Sequence, residues 1–164
     1  MRNALLIAMT LVLQRTMCAP GGPEWASYVL LPMAWLAGSA VLETGRRWVW
    51  TALVIGLGWD LLLEPVIGPG GIAWSAAAVV VHQLAGIIAD RSPRAWFAFG
   101  AVGTSVVILF QRLALLPLGV SESWRWIDLG ATVLATALWC GLVGWILSLG
   151  LIGRWRAYRA RRLR

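Results

Sequence analysis

The chain has 164 residues, of which 60% are hydrophobic and only 13% charged, with a mean hydropathy of +0.76. A water-soluble domain carries about 25% charged residues, so this sequence lacks the polar surface that would cover a core in water. The net charge of +7 comes from fourteen basic residues, all Arg, gathered in short segments between apolar runs, a distribution that argues against a nucleic-acid groove and for a membrane protein.

A hydrocarbon core of about 30 Å takes roughly 20 apolar helical residues to cross. In chain order the sequence predicts spans over residues 3–18, 25–42, 48–63, 72–89, 95–118 and 126–152, an all-α polytopic bundle of about six transmembrane helices. The first is broken near its end by Gln14 and Arg15. A second reading makes Arg2 and residues 4–13 a cleaved signal peptide, but no A-x-A site follows and Pro20 sits awkwardly for cleavage. Turn chemistry separates the spans: Pro20-Gly21-Gly22-Pro23, then residues 43–47, Gly68-Pro69-Gly70-Gly71, residues 90–94 and residues 119–123. Residues 1–153 form a single transmembrane domain and 154–164 a basic cytoplasmic tail. Trp25, Trp48, Trp124 and Trp126 lie at predicted span edges, where an amphipathic ring is stable at headgroup level.

With both ends in the cytoplasm, Arg2, Arg46, Arg47, Arg91, Arg94 and the tail's Arg154, Arg156, Arg159, Arg161, Arg162 and Arg164 lie inside, leaving Arg15, Arg112 and Arg125 outside. Positive charge in short loops holds a segment on the cytoplasmic side, so this asymmetry sets the orientation. The tail reads as a topological anchor that also meets anionic lipid.

Ionisable groups within spans are costly and usually face other helices. Arg15, Asp60, Glu64 and Arg112 reach similar depth near the outer side, and the expectation is an interhelical polar cluster with two cations matching two carboxylates. The alternative is that each long side chain snorkels separately to the interface. Gly56, Asp60 and Glu64 recur every four residues and share one helix stripe, with Gly56 letting another backbone approach. His82 is expected near mid-membrane, hydrogen-bonding across helices. Ala34 with Gly38, Ser75 to Ala78, Gly100 with Thr104, and Ala131 with Ala135 form small-residue stripes, read as internal packing or as contacts with a partner subunit. Cys18 and Cys140 make no CxxC and suggest neither a disulfide nor a metal site. No nucleophile and base are spaced for catalysis, and the sequence calls for no cofactor.

The run from Arg47 to Gly68, with Gly56, Asp60, Leu61, Leu62 and the glycine turn at Gly68, resembles the MreD family of rod shape-determining proteins. The resemblance in length and span count extends along nearly the whole chain, while the distinctive motif covers about twenty residues. Pro69-Gly70-Gly71 is richer in Gly than the family's turn, and His82-Gln83 departs from its apolar or Tyr residues. The resemblance implies a non-enzymatic subunit of the bacterial elongation machinery in the inner membrane. It would bind MreC and associate with the RodA glycosyltransferase and its penicillin-binding transpeptidase. It also implies a fold similar to the substrate-binding subunit of energy-coupling-factor vitamin transporters. From that likeness comes a rival: a pocket lined by Asp60, Glu64, Trp59 and Trp74 that takes a small molecule.

Overall fold

The computed structural model describes residues 2–42, 47–63, 68–88, 92–118 and 125–150, and over these it is all-helical. Helix α1 spans Arg2–Met17, α2 Met33–Leu42, α3 Arg47–Leu63, α4 Pro69–Ile87, α5 Pro93–Leu115 and α6 Trp126–Ser148. Short 3₁₀ turns occupy Glu24–Tyr28 and Leu116–Leu118. Helices α4, α5 and α6 are long and apolar enough to cross a membrane, whereas the apolar stretches of α1 and α3 are shorter. The arginines of the tail lie outside the described residues, as does Glu64.

Local chemistry explains where the long helices begin. Pro69 and Pro93 each sit at a first helical position, where the missing N–H is no loss and the fixed φ already suits the helix. Before α5, the Ser92 hydroxyl accepts the Ala95 N–H, an ordinary N-cap. Before α4, Gly68 has a φ of 126°, which an L side chain tolerates poorly.

The helices pack as a curved row in the order α1, α3, α4, α5, α6, and the short α2 lies inside the curve against α3, α4, α5 and α6. The 3₁₀ turn at Glu24–Tyr28 touches both α1 and α6 and so links the ends of the row. Trp74, Phe99, Met33, Leu36 and Ile55 are completely enclosed in the core. Large apolar residues also point outward around the bundle, among them Leu5, Leu61, Ile87 and Leu134. An apolar exterior of this extent is the surface expected where lipid replaces water.

Small residues set the spacing between helices. A Cβ at Gly100 would lie 2.8 Å from the Cys140 Cβ and 3.0 Å from the Ala137 Cα, and one at Gly144 would meet the Trp96 ring at 2.5 Å. Helices α5 and α6 therefore approach as closely as glycine allows, gaining dispersion contacts that hydrocarbon solvent cannot match. Gly38 gives Trp96 room against α2, and Thr104 is fully buried. Gly38, Gly100 and Thr104 thus contribute to packing within the chain, and Gly38, like Ala34, Ala131 and Ala135, is half-buried.

The predicted continuous span over residues 25–42 is corrected. Helix α2 contains only ten residues, about 15 Å of helix, and its first half is replaced by the 3₁₀ turn and a non-helical stretch. Pro32 accounts for the break: it cannot donate to the preceding turn, and it disfavours helical geometry at Leu31.

Candidate functional site: a buried carboxylate and a side-chain-held backbone

Asp60 lies in the last turn of α3, 1% exposed. Its Oδ1 accepts the Gly70 N–H at 2.7 Å, and its Oδ2 accepts those of Gly68 at 2.9 Å and Gly71 at 3.0 Å. Pro69 has no N–H, so every backbone donor from residue 68 to residue 71 is directed at one carboxylate. These are the orphan donors that any helix leaves at its N-terminus, and the positive end of the α4 dipole favours the negative charge.

Three glycines make this approach possible. A Cβ on Gly70 would collide with Asp60 Oδ1, and one on Gly56 would sit 2.8 Å from the Gly71 Cα and 3.2 Å from the Gly70 carbonyl oxygen. Gly68 supplies the positive φ that turns the chain into α4. The rings of Trp59 and Trp74, with centroids 5.5 Å apart, pack beside these glycines. Trp74 is wholly enclosed and Trp59 nearly so. In such a dry setting charge-assisted hydrogen bonds are stronger than their water-exposed counterparts, and an unmet carboxylate would be correspondingly costly.

The polar cluster expected around this residue is corrected at Asp60 alone; its other carboxylate, Glu64, lies outside the described residues. Asp60 is satisfied by backbone N–H groups of α4 rather than by arginine. Arg15 is exposed in the last turn of α1, where its charge suits the negative end of that helix. Arg112 is half-buried on α5. The shared stripe of Gly56 and Asp60 does face the bundle, as its spacing implies.

A second network holds the non-helical stretch before α2. Gln14, 1% exposed on α1, accepts the Leu31 N–H on its Oε1 at 2.9 Å and directs its Nε2 to the Ala26 carbonyl at 3.4 Å and the Cys18 Sγ at 3.3 Å. From α6, the Thr136 hydroxyl accepts the Leu30 N–H at 3.0 Å and donates to the Tyr28 carbonyl at 3.4 Å. One turn further on, the Trp139 indole N–H donates to the Leu31 carbonyl at 3.3 Å. The Tyr28 hydroxyl reaches Asp128 Oδ1 at 3.4 Å. Irregular backbone away from water is tolerated only where protein groups replace the missing helical partners, and here α1 and α6 supply them. Sequence reasoning placed Gln14 near the end of a span without assigning it this work, and missed Thr136 and Trp139. Pro32 was the available signal, since a break there leaves buried donors in need of acceptors.

His82 is not joined across helices by a hydrogen bond as expected. Its ring stacks on Trp48 at the start of α3, centroids 4.6 Å apart and 16° from parallel, and its Nδ1 has no hydrogen-bond partner among the described residues. That position is close to the end of the bundle where α3 begins, away from the middle. Both cysteines are free, Cys18 exposed and Cys140 buried. Among the described residues, no group of three or more His, Cys, Asp or Glu side chains is placed to hold a metal ion.

Taken together, the two networks stabilise backbone: one ties α3 to α4 through a carboxylate, and the other ties α1 and α6 to the stretch that leads into α2. No family model matches the sequence, and no curated protein or solved structure matches it either.

Proposed function

We propose that this chain is a polytopic scaffold of the bacterial cytoplasmic membrane, similar to the MreD proteins, with both termini in the cytoplasm. In this role it is a non-enzymatic subunit that holds MreC and helps to position the RodA glycosyltransferase and its transpeptidase during wall elongation. The observation that carries the reading is the behaviour of the motif residues. Gly56, Asp60 and Gly68, which bear the resemblance, act as one physical unit in which a close approach, a carboxylate and a positive-φ turn depend on one another. A chance match of letters has no reason to assemble that way.

The motif's work is to fix the α3–α4 hairpin. Partner contacts then fall to the outward apolar faces, where a membrane helix from another subunit replaces lipid. The rival vitamin-binding reading gains nothing from the site, because Trp59, Trp74 and Asp60 are buried against one another and α4.

Gentle solubilisation of the tagged full-length chain, followed by mass spectrometry of what copurifies, tests the proposal. A single-span periplasmic coiled-coil protein together with wall-synthesis enzymes is the expected result. Recovery of a transporter ATPase or a tightly held vitamin in their place would overturn it.

A further inference from the structure

Where α5 begins and α6 ends, the two helices leave a shallow groove of about 420 Å³ lined by Pro93, Arg94, Phe97, Leu138, Gly141, Leu142 and Trp145. Its floor is Gly141. A Cβ there would lie 3.5 Å from the Phe97 Cβ and 3.7 Å from the Pro93 carbonyl oxygen, which is ordinary contact. Helix packing tolerates a methyl here, unlike at Gly100 of α5 and Gly144 of α6, and without a longer side chain at 141 the trough stays shallow and uncovered. The walls are apolar and exposed, with Leu138 and Trp145 both more than half accessible. Among the described residues, the only charge on the lining is Arg94, which is exposed, and no acidic side chain lies on the lining beside it. The tail, with six more arginines, follows α6 from the same end.

We propose that this groove seats one anionic phospholipid, its acyl chain lying over Gly141 between Phe97, Leu138 and Leu142 and its phosphate beside Arg94 and the Trp145 ring. Charge complementarity selects the occupant. An apolar trough with an exposed arginine on its rim matches a molecule that is hydrocarbon along its length and anionic at its head, and Trp is a favoured residue at headgroup depth. A partner's transmembrane helix would cover the trough equally well but would leave Arg94 without an anion. The inference needs the chain to lie in a bilayer; it does not need the scaffold role, so failure of the partner pull-down leaves it standing.

Native mass spectrometry of the detergent-solubilised full-length protein, titrated with dioleoylphosphatidylglycerol and dioleoylphosphatidylcholine, tests it. The wild type should retain one phosphatidylglycerol about fivefold more strongly than phosphatidylcholine, the selectivity of one arginine near a headgroup. Arg94→Gln should abolish the headgroup preference while keeping lipid bound. Gly141→Leu, which fills the trough, should lose both lipids, and Gly141→Ala should keep them. Thermal unfolding confirms that each variant is folded, and Arg94→Gln, on the exposed rim, decides the headgroup half even if Gly141→Leu is not folded. Preference that survives Arg94→Gln and disappears only when the six tail arginines are replaced by Gln would assign anionic lipid to the tail and overturn the proposal. Gly141→Leu that keeps its lipid but loses a copurifying membrane protein would give the groove to a partner helix and overturn it as well.

Discussion

At the scale of single residues, the Asp60 carboxylate makes definite demands on its neighbours. Replacing it with Asn keeps the volume but removes the charge from the α4 dipole and turns one oxygen, which faces backbone donors, into a donor itself. Asp60→Asn should destabilise the protein by about 1–3 kcal/mol, read as a lower thermal midpoint in detergent. Gly70→Ala should also destabilise it, because the added methyl meets Asp60 Oδ1. The two effects share one cause and should not add. In an Asp60→Ala background the methyl has no oxygen to meet, so Gly70→Ala should be milder there by about 0.5–3 kcal/mol, the range seen for residues in contact. Strict additivity in that double-mutant cycle would disprove the arrangement.

At the scale of elements, most of the helix ends were legible and one half-helix was not. Turn residues that punctuate sequence also end helices: Gly68-Pro69 and Ser92-Pro93 placed α4 and α5 within a few residues, and the charged flanks bounded α3. Hydropathy measures solvent preference and says little about dihedral angles. Residues 25–32 are apolar enough to read as helix while Pro23 and Pro32 hold the chain out of it. The same gap explains why the Asp60 site was only half read: a period of four puts Gly56 and Asp60 on one face, but nothing in the spacing says that the facing donors are backbone N–H groups instead of arginine. The non-helical stretch also yields a test. Thr136→Val keeps the shape but removes the acceptor of the buried Leu30 N–H. Hydrogen exchange at Leu30 should then accelerate by about tenfold or more, corresponding to a local loss of about 1–3 kcal/mol, and Thr136→Ser should restore protection. Gln14→Leu should do the same at Leu31. Unchanged exchange at both amides would mean that the α1 and α6 side chains do not hold this stretch.

At the scale of the whole molecule, the arginines of the sequence fall mostly at one end of the predicted spans, and the orientation proposed for the bundle rests on this. Helix α6, with 23 residues, extends about 34 Å, enough to carry the chain from the exposed Arg125 across hydrocarbon to the arginine-rich tail. Helix α1 runs the opposite way and delivers Cys18 to the end where α6 starts, exposed and beside the 3₁₀ turn at Glu24–Tyr28. Cys140 of α6, fully buried against Gly100 of α5, is withheld from reagents on either side. The proposed orientation, drawn from the positive-inside bias, puts the tail in the cytoplasm, and on that proposal the Cys18 end should face outward. A membrane-impermeant maleimide added to intact cells should therefore label Cys18, while a Cys18→Ser, Ala157→Cys variant should react only after permeabilisation. Reversed labelling would turn the bundle over, and equal labelling of both positions in intact cells would remove the membrane from the account.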